Sequence, residues 1–68
     1  MTLREARFRK GLRQMDLAIR CQINATKISH FETGLMLPNF NEKMALAAIL
    51  GLEVGDLEFP LVAQVRGS

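Results

Sequence analysis

Three residues, Gln22-Ile23-Asn24, stand between one stretch with helical spacing, Gln14 to Cys21, and another, Ala25 to Thr33. Two helices joined by so short a link, the second amphipathic with a polar outer side, form a tight helix pair. Where they cross a small residue is required, which Ala18 supplies. Leu17 and Cys21 on the first stretch, Ile23 in the link, and Ile28 and Phe31 on the second have the spacing of a shared apolar underside. The opposite side of the second stretch carries Thr26, His30 and Thr33, with Lys27 and Ser29 at its flanks. A helix crossed this way stands proud of the surface, so that side is presented outward.

The remaining punctuation is also helical. Thr2-Leu3-Arg4-Glu5 reads as a capping box, opening a helix to about Lys10 that Gly11 stops. Asn24 suits the cap of the Ala25–Thr33 helix, and Gly34 ends it. Leu35 to Asn39 form a loop, because Pro38 disfavours helix in the residue before it. Asn39 and Glu42 repeat the capping pattern for a fourth helix to Leu50, closed by Gly51. A short fifth helix is expected over Val54–Leu57, and residues 60–68 read as a C-terminal tail after a domain over residues 1–59. The fold class is therefore all-α: a compact bundle of four to five short helices.

At 68 residues, with 49% of them hydrophobic, the chain is one small domain. A chain of this length buries only about 60% of its unfolded surface, so its core must be dense or shared with a partner. The first 38 residues hold seven cations against three acids, a balance of +4. The remaining thirty hold two against four, a balance of −2. The N-terminal half would attract a polyanion, although solvated helix faces give a split of this size as well. No run approaches the roughly 20 apolar residues that span a bilayer, and none resembles a signal peptide. The lone Cys21 forms no internal disulfide, which points to a reducing, cytoplasmic setting.

Enzyme chemistry has little to stand on. His30 has no second His, no cysteine partner and no paired carboxylate at ligand spacing, which argues against both a metal site and a catalytic base. Cys21 faces the core side of its helix, where thiols are inert. No phosphate-cradling glycine loop and no hydrolase elbow are present. No cofactor is expected.

The stretch GLRQMDLAIRCQINATKISHFETGLMLPN resembles the lambda repressor/Cro-type helix-turn-helix family, also called the xenobiotic-response-element family. Gly11, Leu12, Gln14, Leu17, Ala18, Ile28, Ser29, Glu32, Gly34 and Pro38 match its pattern without a gap. The resemblance extends through Leu46, Ala47, Leu50, Gly51 and Leu57, covering about residues 3 to 59. It implies that the unit 14–33 binds double-stranded DNA. Its second helix, 25–33, would enter the major groove with Asn24, Ala25, Thr26, Ser29 and His30 facing the bases. By the same resemblance Gln14 sits where a phosphate is bound, and Arg7 and Glu32 match a buried ion pair. Arg13, Lys27 and Lys10 are the cations expected on phosphates beside it. The family's function implies a transcriptional repressor binding a palindromic operator as a homodimer, in the cytoplasm at the nucleoid.

Three departures stand out. The position after the second helix, commonly Gly in that family, is Gln22. If the backbone there needs a positive φ, Gln22 carries strain of roughly 1 kcal/mol. Leu35-Met36-Leu37 replaces the usual basic residues after Gly34. Ala25 and Thr26 stand where long Arg or Gln side chains are frequent, so base reading leans on methyl contacts, short hydroxyls and His30.

Phe8, Met15, Ile19, Leu35, Met36, Leu37, Ala45 and Ala48 are apolar at positions expected to be exposed. They motivate a rival: a protein-interaction module on the same fold, or an antitoxin, with a partner held through Met15, Ile19, Leu35 and Met36. Leu52, Val54, Leu57 and Phe59 are either core or part of a dimer seam.

Overall fold

Every helix starts on a local carboxylate, amide or hydroxyl. In the computed structural model, which describes residues 1–60, α1 (Leu3–Arg9) opens where the Glu5 amide donates to Thr2 Oγ1 at 3.1 Å and the Thr2 amide donates to Glu5 Oε1 at 2.9 Å. The Thr2 bonds hold the Glu5 carboxyl below its ordinary pKa. α2 (Gln14–Cys21) opens with the Arg13 amide on Asp16 Oδ2 at 2.9 Å. α3 (Ala25–Thr33) is capped by Asn24, and α4 (Phe40–Leu50) by the reciprocal bonds of Asn39 and Glu42. The tail assigned to residues 60–68 lies, from residue 61 on, outside the described residues.

The expected fifth helix is a single 3₁₀ turn, Val54–Asp56. It stops because the next two residues are held by other parts of the chain. Leu57 runs extended into the core, and Glu58 pairs with the N-terminal residues in a lone parallel bridge to Thr2. The Glu58 amide donates to the Met1 carbonyl at 2.9 Å, and the Met1 ammonium meets Glu58 Oε1 at 2.6 Å. Among the described residues there is no strand beyond that bridge, and the architecture is an all-α bundle.

The core is built where α2 crosses α3 and α4 closes over them. Leu3, Leu17, Ile28, Phe31 and Leu46 are fully shielded, and each contributes about 1.5–3 kcal/mol by leaving water. Ala18, 6% exposed, is buried in this core. Leu57 belongs to this core, while Leu52, Val54 and Phe59 are half-buried against it. Cys21 lies against α4, its thiol 3.7 Å from the Ala45 carbonyl, and burial holds its pKa above the ordinary value. α4 has an unusual distribution: from Met44 to Leu50 it carries no polar side chain. Leu46, Ala47 and Leu50 point inward, while Phe40, Met44 and Ala48 share an exposed line on the other side.

The three helix-ending positions after α2, α3 and α4 are left-handed, and two of them are Gly34 and Gly51. The third is Gln22, at φ 57° and ψ 39°. A side chain there crowds its own carbonyl, at a cost of about 1 kcal/mol. Gln22→Gly is expected to raise the melting temperature by roughly 4–8 °C, read by circular dichroism on heating. An unchanged or lower melting point would show that the turn holds Gln22 without strain.

Candidate nucleic-acid interface

The outer side of α3 begins at its cap. Asn24 Oδ1 accepts from the Thr26 amide at 2.7 Å, which leaves the Asn24 side-chain NH₂ as a donor for another partner. Asn24, Thr26 and Thr33 are exposed, while Ser29 and His30 are only half so. Ala25 turns partly inward and packs against the core, so the row expected to face outward is narrower than its helical spacing suggested.

A second group sits where α1, α2 and α3 meet. Arg7, 8% exposed, donates Nε to Glu32 Oε2 at 2.8 Å, Nη2 to Glu32 Oε1 at 3.3 Å, and Nη1 to the Leu12 carbonyl at 3.1 Å. Gln14 Nε2 donates to Glu32 Oε1 at 3.0 Å. One carboxylate on α3 thus receives a fork from α1 and an amide from α2. Gln14 keeps one amide hydrogen for an outside acceptor beside the first turn of α2. That turn already holds a carboxylate, Asp16, which reduces its attraction for a further anion.

The cations fall into two sets. Lys27 Nζ lies 2.6 Å from Glu42 Oε2 on α4, a bond that lowers the Glu42 pKa, helped by the Asn39 amide. Glu42 therefore stays ionised at neutral pH. Arg9, Lys10, Arg13 and Arg20 form no salt bridge among the described residues. Arg13 is exposed at the mouth of α2, next to Gln14. Lys10 lies elsewhere: a Cβ built on Gly51 would sit 3.4 Å from its Nζ, so its ammonium rests over the C-terminal end of α4, where the helix dipole favours a cation. That end is about 12 Å along α4 from Glu42, so Lys10 is not brought together with Lys27.

Glu42 is the site residue that sequence reasoning treated only as a cap partner. Nothing in the spacing links it to Lys27, fifteen residues away. Exposed Phe40 and Met44 were also not anticipated, although their four-residue interval with Ala48 is readable. Met15 (59%), Ile19 (69%) and Leu35 (62%) are exposed as expected, with Met36 and Leu37 less so. Phe8 is exposed and flanked by the guanidinium groups of Arg4 and Arg7, at 5.5 and 5.3 Å from its ring centre.

Among known proteins, a family model described as a helix-turn-helix domain matches residues 1–59. No curated protein and no solved structure matches the chain. No helix of the described residues is long and apolar enough to cross a membrane.

Proposed function

Because the chain belongs to the helix-turn-helix domain family, we propose that it is a sequence-specific DNA-binding transcriptional regulator of the lambda repressor/Cro type. It acts as a repressor in the cytoplasm, at the nucleoid, and binds a palindromic operator as a homodimer. α3 lies in the major groove, which is about 12 Å wide, with Thr26, Ser29 and His30 at base edges and Asn24 at the entry. Gln14 and Arg13 hold phosphate at the start of α2. The half-sites of the operator lie about one turn, 34–36 Å, apart.

The observation that carries this reading is the pairing of a polar, exposed Thr26 at the start of α3 with a fully shielded Ile28 and Phe31 beneath it. Such a helix is fixed from below and open above. Selection of random duplexes by the purified protein tests it directly. A recovered two-fold motif, bound with a negative log–log salt slope of several units, is the expected result. Failure to bind any duplex at 50 mM salt would sink the proposal.

A second reading draws on the exposed Met15, Ile19, Leu35 and Met36: a protein-interaction module, or an antitoxin that holds both a protein partner and DNA. Met15→Glu and Thr26→Ala separate the two. Loss of operator binding in the Thr26 variant alone favours the regulator. Loss of function in the Met15 variant alone favours the module.

A further inference from the structure

Lys27 is the only Lys or Arg in α3, and the remaining full charge there, Glu32, is offset by Arg7. The recognition helix therefore brings a net positive charge to DNA only if Lys27 is free. It is not free. Glu42 reaches it from α4 at 2.6 Å, and both carboxylate oxygens are engaged. Its Oε1 accepts from the Asn39 amide at 2.9 Å, its Oε2 takes the ammonium, and its own amide donates to Asn39 Oδ1 at 2.8 Å. The Glu42 side chain is 16% exposed and that of Lys27 43%. The acid is thus shielded and preorganised, while the base is a flexible stem with water at its side.

We propose that Glu42 limits the grip of this domain on DNA: it withholds Lys27 from the phosphates and ties the start of α3 to the start of α4. This inference rests on the DNA-binding reading above and assigns Lys27 a different place within it. Lys27 is a positioning residue, and the phosphate contacts fall to cations outside α3. Glu42 is a phosphate mimic already seated on the one recognition-helix cation. Removing its charge turns a strut into a clamp.

Glu42→Gln is suited to the test, because Gln at this position still accepts from the Asn39 amide and preserves the cap. The measurement is fluorescence anisotropy of a random-sequence duplex between 50 and 300 mM salt, with wild type, Glu42→Gln, Lys27→Met and the double variant. Each phosphate neutralised contributes about 0.9 to the log–log slope. Glu42→Gln is expected to steepen the slope by about 0.9 and to tighten binding on the order of fivefold at 0.15 M salt. Lys27→Met and the double variant are expected to keep the wild-type slope. A slope flattened by about 0.9 in Lys27→Met, or left unchanged in Glu42→Gln, overturns the proposal. Absence of binding by every variant sinks the DNA-binding reading itself. A melting series without DNA checks the contact separately: each single variant is expected to melt roughly 3–6 °C lower, and the double variant no lower than the singles. Fully additive losses would show that Glu42 does not hold Lys27, and would overturn the inference independently of DNA.

Discussion

Arg7→Met is expected to remove about 3–5 kcal/mol of stability, measured by urea unfolding at 25 °C. For a domain of this size that is much of the total, since native stability is only roughly 0.05–0.15 kcal/mol per residue. The loss comes from what is left behind. Glu32, 8% exposed, would keep its charge with only the Gln14 amide to answer it, and the Leu12 carbonyl would lose its donor. The cost therefore belongs to the stranded carboxylate more than to the missing attraction. Arg7→Met combined with Glu32→Leu is expected to recover part of the loss, because an apolar pair leaves no buried charge. A double variant less stable than Arg7→Met would contradict this account.

Phe31→Ala is expected to cost about 3–5 kcal/mol as well, by a different route. Phe31 is fully shielded beneath α3, and its removal opens a cavity in the core. The two variants should differ in their response to a second substitution. Glu32→Leu removes the stranded carboxylate, so it is expected to recover part of the deficit of Arg7→Met and to deepen that of Phe31→Ala, where it leaves Arg7 without its partner. Urea midpoints of both double variants at pH 7 check this. Equal responses in the two would show that the Arg7 deficit is a packing effect.

Helix positions and ends were readable because they depend on neighbours in sequence. Asn24, Asn39 with Glu42, Gly34 and Gly51 each act within one turn, and α3 and α4 begin and end where those residues place them. Gln22 also proved left-handed, which is the condition under which strain is expected there. The end of the fold was less legible. A helix is expected over Val54–Leu57, yet only a 3₁₀ turn forms, because Leu57 is drawn into the core and Glu58 pairs with Met1 and Thr2, more than fifty residues away.

The surface was legible in part for the same reason. Thr26 and Thr33 point outward as helical spacing requires, but the partial burial of Ala25, Ser29 and His30 depends on how closely other elements pack. Lys27 and Lys10 look like equal cations in the sequence. Only the packing of α4 separates them, seating one on a carboxylate and the other over a helix end.

α4 has a consequence of its own. A helix with hydrocarbon on opposite sides gains about as much by rolling one way around its axis as the other, so its middle does not determine which side chains face the interior. That choice is made at the two tips: the Asn39–Glu42 clasp with its tether to Lys27 at one, and the reversal at Gly51 at the other. Loosening either tip should let the rod spin between alternative seatings while its helicity stays intact. Such a change would pass unseen in far-ultraviolet dichroism and would appear as doubled methyl resonances from Met44 and Leu46.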